Sequence, residues 1–190
     1  GDAQLTNGYN NDNMIPNANS ELGTLAVGKV PEGNNLVNDA VNSFAGEWCR
    51  RVTIPAAPGG EIILTGYIPV SPGEVFLLEG YLKCVAAQTS NVSWASLYFY
   101  DTNKANPVAA VSNQIIANTA YQKVSLRAPV PAGKVFMRAS VRFDNSSNTN
   151  TGKLGYGDSF LLKRLVTGNL DGNTYSDNLV VNGSFEILRA

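Results

Sequence analysis

Histidine is absent from the 190 residues. Its absence removes the commonest general base, the Ser-His-Asp and Cys-His nucleophilic arrangements, and most zinc sites. Cysteine occurs only as Cys49 and Cys84, too few for a disulfide scaffold. The two are either one bridge, formed in an oxidising compartment, or two buried apolar side chains; a bridge depends on a Cα separation that sequence does not measure. Charge is also scarce, at 15% of residues with a formal net charge of −1. Phosphate recognition needs a surplus of Lys and Arg, so nucleic acid is a poor fit as a partner. No apolar run is long enough to span a bilayer, and the opening has no signal-like pattern, as expected of a mature form or an expressed fragment. No helical pattern extends beyond a turn or two.

What is present is period-two alternation. In "VFLLEGYLKCV", Phe76, Leu78, Gly80, Leu82 and Cys84 share one face, and Leu77, Glu79, Tyr81 and Lys83 the other. In "SWASLYFY", Ala95, Leu97 and Phe99 oppose Trp94, Ser96, Tyr98 and Tyr100. In "VFMRASVRF", Val135, Met137, Ala139, Val141 and Phe143 oppose Phe136, Arg138, Ser140 and Arg142. Alternation rich in β-branched and aromatic residues marks half-buried strands. Further strands are expected at 47–54, 61–68, 121–128 and 158–166. Turn residues separate them, in "PAAPGG", "PVSPGE", "DTNKANP", "PVPAGK" and "DNSSNTNTGK". The fold class expected is all-β, an antiparallel β-sandwich of jelly-roll type. Residues 1–12 read as a linker or approach segment, 13–167 as the sandwich, and 168–177 as a second linker. Residues 178–190 read as the first strand of a second copy or as a terminal pairing strand.

The two ends of the chain repeat a pattern. "NMIPNANSE" (13–21) and "NLVVNGSFE" (178–186) both read N-x-x-x-N-x-x-x-E. This motif resembles the first strand of carbohydrate-binding modules of families four and nine and their galactose-binding-like relatives. "VSPGEVFLLEGYLK" resembles the family's turn into a long sheet strand. "ANTAYQKVSLRAPVPAGKVFMRASVRF" resembles its strand–PAG–strand segment, and "GYGDSFLLKRL" its closing strand. The resemblance covers about residues 13–166. It departs at Tyr121, where the family usually has Trp, and at Ser20, where it usually has Phe. The resemblance implies carbohydrate recognition. It also implies a structural Ca²⁺ held by Glu21 and Asp158, the positions that match the family's carboxylates; hard cations take oxygen ligands of this kind.

A pyranose has flat C–H patches and a rim of hydroxyls, so its sites combine an apolar wall with a few placed polar groups. Trp94, Tyr98 and Tyr100 leave the core face of one strand, and Arg138 and Arg142 leave that of another. If those strands are neighbours, the five line a groove suited to an acidic or N-acetylated polysaccharide. Tyr81, on the outward face of its own strand, completes the candidate set. Trp48 alternates with Val52 and Ile54 and reads as core. Glycosidases need two carboxylates at a set separation, and no such pair stands out among Glu47, Glu61, Glu74, Glu79, Asp101 and Asp144. The expectation is therefore a non-enzyme. Three settings fit: a phage tail-fibre receptor-binding module, trimeric and virion-borne; an extracellular accessory module of a polysaccharide-degrading enzyme; and a purely structural trimerisation or spacer domain.

Overall fold

The structure is a computed structural model and describes residues 14–15, 36–47, 49–84, 92–116, 120–167 and 174–176. Within them the chain forms strands β1 (Leu36–Asp39), β2 (Cys49–Thr53), β3 (Gly59–Ile63), β4 (Ile68–Pro69), β5 (Val75–Cys84) and β6 (Val92–Tyr100). They are followed by β7 (Val108–Val111), β8 (Ile115–Ile116), β9 (Gln122–Pro129), β10 (Phe136–Asp144), β11 (Leu154–Thr167) and β12 (Thr174–Ser176). Among the described residues no helix is long and apolar enough to cross a membrane.

The strands build two antiparallel sheets, as the alternation requires. The first has the order β1-β2-β11-β5-β9, with β12 also pairing β11. The second has the order β3-β10-β6-β7, with β4 on β10 and β8 on β6. Each sheet is organised on a pair of long strands, β11 with β5 and β10 with β6. Burial alternates residue by residue along all of β5, so every second side chain enters the space between the sheets. There Phe76, Leu78 and Leu82 meet Leu97, Phe99, Met137, Val141 and Phe143. The opening segment joins them: the Met14 N–H donates to the Leu162 carbonyl at 2.8 Å, and Ile15 is fully buried in the core.

The strand expected over 61–68 is two strands. The ladder breaks at Leu64–Gly66, where the Ala139 N–H donates to the Thr65 hydroxyl oxygen at 3.0 Å. A side chain there takes the role of a ladder carbonyl, and pairing with β10 resumes at Ile68. The closing strand begins earlier than 158, at Leu154, and Thr174–Ser176 pairs back onto Leu165–Thr167 within the expected second linker. Cys49 and Cys84 are both buried and not bridged. Burial pushes the Cys49 thiol up to about 11. Residues 1–12, Trp48 and 178–190 lie outside the described residues.

β11 carries the fold's main irregularity. Its register against β5 shifts between Asp158 and Leu161, and Ser159 has φ of 50°. Before this bulge Gly155 and Gly157 face the core; after it Phe160 and Leu162 do. The added residue changes which parity points inward. It also places the Phe160 ring where side chains on its neighbours would stand: a Cβ on Gly80 would lie 2.4 Å from that ring, and one on Gly157 2.5 Å. Phe160 is 1% exposed and cannot retreat. Gly80→Ala should therefore destabilise the protein by about 1–3 kcal/mol through overpacking. Chemical denaturation of the variant against the parent measures this, and an unchanged midpoint would refute the packing.

Candidate functional site

β6 and β10 are direct neighbours, and their register aligns the sequence-predicted residues. Tyr98 lies opposite Arg138, Trp94 opposite Arg142, Ser96 opposite Ser140, and Tyr100 opposite Phe136. The intervening Ala95, Leu97, Phe99, Met137, Ala139 and Val141 fill the core, so this set faces outward from the second sheet. On the flanks, β3 places Glu61 beside Arg142 and Ile63 beside Ser140. β7 places Ala109 beside Tyr98 and Val111 beside Ser96. The face is long, aromatic and arginine-bearing, and mostly half-buried rather than free in solvent.

One end is completed by Tyr67, from the break between β3 and β4. Its ring meets Tyr100 edge-on at 5.0 Å and Phe136 at 6.4 Å. The Lys104 ammonium lies 5.0 Å from the Tyr67 centroid and 5.3 Å from that of Phe136, and the Arg138 guanidinium lies 5.8 Å from Tyr67. These are cation–π distances. Lys104 is held there by its turn. The Asp101 carboxylate accepts the N–H groups of Asn103 and Ala105 and a proton of the Asn106 amide, at 2.9–3.0 Å. These bonds, led by the one from Ala105, hold the Asp101 carboxyl below the usual range. Burial, with Tyr67 beside it, raises the Tyr100 hydroxyl. At the other end Arg142 donates to the Pro58 carbonyl at 2.9 Å. Sequence reasoning missed Tyr67 as a site residue: it fell within the strand expected over 61–68, whereas the structure leaves it between β3 and β4. Phe136 was placed on the correct face without being assigned to the site.

Tyr81 is not part of this set. It lies on β5, on the outer face of the other sheet, and Phe44 stacks on it with centroids 3.9 Å apart and planes 15° apart. Phe44 also meets Tyr121 edge-on at 5.4 Å. Tyr121 donates its hydroxyl proton to the Asn42 carbonyl at 2.7 Å, and Lys83 lies over both Tyr121 and Tyr156. Residues 40–47 thus form a strap across the first sheet. Asp39 ties its start, accepting from the Val41 and Asn42 N–H groups and pairing with Arg51 at 2.8 Å. Burial alone would raise the Asp39 carboxyl, but these hydrogen bonds outweigh it and the net shift is downward.

Asp158 ties the strap's end. One carboxylate oxygen accepts the N–H groups of Phe44 and Ala45 at 2.8 and 3.1 Å, and the other accepts that of Ser159 at 2.6 Å. Asp158 is fully buried, and its charge acts on the buried Arg50, whose guanidinium also lies 5.7 Å from the Phe160 centroid. Burial lowers the Arg50 pKa to about 10 and Asp158 opposes that shift. A calcium ion at Asp158 would have to displace three backbone donors and sit within the field of the buried Arg50, so this donor set fits a cation poorly. Glu21, its expected co-ligand, lies outside the described residues. Among the described residues no group of three or more His, Cys, Asp or Glu side chains gathers to hold a metal.

No family model matches the chain, and no curated protein matches it. Solved structures do. A family 16 carbohydrate-binding module superposes with a TM-score of 0.55 at 14% identity, covering 79% of this chain and 99% of that one. The C-terminal family 22 carbohydrate-binding module of a Clostridium thermocellum protein gives 0.54 at 12% identity, covering 82% and 92%. The enzymatically active domain of bacteriophage CBA120 tailspike protein 4 gives 0.56 at 14% identity, covering 80% of this chain. The match spans only 21% of that tailspike chain. At such identities the likeness is one of fold: the chain is a β-sandwich of the kind built by carbohydrate-binding modules.

Removing the Asp158 carboxylate would strip the Phe44, Ala45 and Ser159 N–H groups of their acceptor and free the end of the strap. Asp158→Ala should cost about 1–3 kcal/mol, the cost of leaving buried donors without an acceptor. Denaturant unfolding checks this, and a loss below 1 kcal/mol would show that the carboxylate does not anchor the strap.

Proposed function

We propose that the chain is a non-catalytic module that recognises carbohydrate through the outer face of β6 and β10. The observation that carries this is the register: two aromatic–arginine pairs, Trp94 with Arg142 and Tyr98 with Arg138, stand side by side across adjacent strands. Rings can stack on the C–H patches of a sugar while guanidinium and carboxylate groups bond its hydroxyl or acidic rim. The arginines and Lys104 favour acidic or N-acetylated glycans. The fold likeness to modules named for carbohydrate binding supports the same reading.

The setting we propose is host cell-surface polysaccharide binding by a phage tail fibre. Low charge, missing histidine and the likeness to a tailspike domain support it. A homotrimer would present several copies of a weak site to a repetitive surface glycan and gain affinity by multivalency. The rival setting, an accessory module of a secreted polysaccharide-degrading enzyme, is favoured by near-complete coverage of the family 16 and family 22 modules. Light scattering separates them, a trimer favouring the fibre and a monomer the accessory module. If the outward aromatics are subunit contacts only, the spacer reading holds and no glycan is bound.

Trp94→Ala and Tyr98→Ala should each weaken glycan binding at least tenfold, the scale of an aromatic interface anchor at about 2 kcal/mol. Affinity electrophoresis on polysaccharide-containing gels measures it, and full retention of binding in both variants would remove this face as the site. A structural calcium at Glu21 and Asp158 requires that stripping with EGTA lower the melting temperature. An unchanged melt removes the ion from the account.

A further inference from the structure

The centre of the same face contains an unexplained pair. Ser96 and Ser140 lie directly opposite each other across β6 and β10. Alternation with Ala95, Leu97, Ala139 and Val141, which fill the core, directs both outward. They are nevertheless 0% and 1% exposed. Neither hydroxyl has a hydrogen-bond partner among the described residues, including the other. A buried hydroxyl without a partner is rare in folded proteins and asks for a reason. Alanine would fill either position without that deficit, so packing alone does not explain serine at both.

Their surroundings supply one. Along the strands the pair is bracketed by Tyr98 and Arg138 on one side and Trp94 and Arg142 on the other. The two arginine heads are drawn toward opposite ends of the face, Arg138 to the Tyr67 ring and Arg142 to the Pro58 carbonyl. Arginine stems are long and change rotamer readily, so a ligand can part them without moving backbone. Directly opposed residues of an antiparallel pair have Cβ atoms about 5 Å apart, which lets one oxygen atom reach both hydroxyls. A serine hydroxyl both donates and accepts, as does the hydroxyl of a sugar.

We infer that Ser96 and Ser140 form the seat for one hydroxyl group of the bound glycan, which accepts from one serine and donates to the other. The inference rests on the carbohydrate reading and deepens it: the aromatic rings supply sequence-tolerant stacking, and the serine pair selects sugars that place a hydroxyl between the two pairs. A ring bearing hydrogen at that position would leave the seat unpaired, and a methyl ether, which accepts but cannot donate, would leave it half-paired; both would bind less well.

Affinity electrophoresis of the full chain against xylan, alginate, hyaluronan and a bacterial capsular polysaccharide tests this. The variants are Ser96→Ala/Ser140→Ala, Trp94→Ala and Ser93→Ala. Ser93 is also buried with an unpartnered hydroxyl but lies on the core side of β6, and so serves as the control. The double variant should lose about tenfold in affinity for the polysaccharide that the parent binds best, with a melting temperature equal to or above the parent's. Ser93→Ala should bind as the parent does. Binding by the double variant equal to the parent's, alongside a loss in Trp94→Ala, overturns the seat and leaves the carbohydrate reading standing. A fall of several degrees in the double variant's melting temperature assigns the serines to structure and overturns it as well. Failure of the parent to bind any of the four overturns the reading on which the seat rests.

Discussion

The buried carboxylate of Asp158 is the group on which both sides of the first sheet depend. It stands at the bulge in β11, where the inward parity changes and Phe160 turns into the core. From there it reaches outward to two backbone N–H groups of the strap and shares its field with Arg50. Charge-assisted bonds to backbone N–H groups in a low-dielectric setting are among the stronger contacts available to a protein. Here they secure an eight-residue strap, 40–47, that has no ladder of its own. The strap in turn packs over Tyr81 and Tyr121 on the outer face of the first sheet.

The second sheet has no such cover among the described residues. Its outward aromatics and arginines are arranged by register alone, because the same pairing that buries Leu97 against Ala139 brings Tyr98 beside Arg138. The core and the candidate site are therefore one pattern read from two sides. A slip of one residue between β6 and β10 would empty the core and disperse the face together. The centre of the candidate face is thus built by the same strands that hold the sandwich closed.

The sequence displayed this unevenly. β5, β6 and β10 are long and strictly alternating, so their faces were legible residue by residue, and with them Trp94, Tyr98, Tyr100, Arg138 and Arg142. Pairing of β6 with β10 was a condition that the alternation could not supply, since it does not name a strand's neighbour. Short strands such as β7 and β8 carry too few residues for a period. The bulge was hidden because "GYGDSFLL" alternates on both sides of a phase change, and only the β5 register reveals the slip. Tyr81 looked equivalent to the other outward aromatics because a strap that covers a face leaves no mark on the strand beneath it. Tyr67 was missed for the opposite reason: it is placed by a break in a ladder rather than by a strand.

The turn that carries Lys104 gives the far end of the face a different character from the rest. Lys104 and Asn106 both adopt left-handed backbone angles, with φ of 57° and 46°. The Asp101 carboxylate holds that shape, and the Lys134 ammonium clasps the Asn106 carbonyl at 2.6 Å. The backbone beneath the Lys104 charge has thus already lost its freedom before anything binds. Ordering a loop on association normally subtracts from affinity; at this end that loss was incurred during folding. Arg138 and Arg142 instead stand on a strand, their heads placed by the Tyr67 ring and the Pro58 carbonyl. The face therefore carries one cation on an ordered turn and two on a strand, an asymmetry that would give anything bound there a preferred direction.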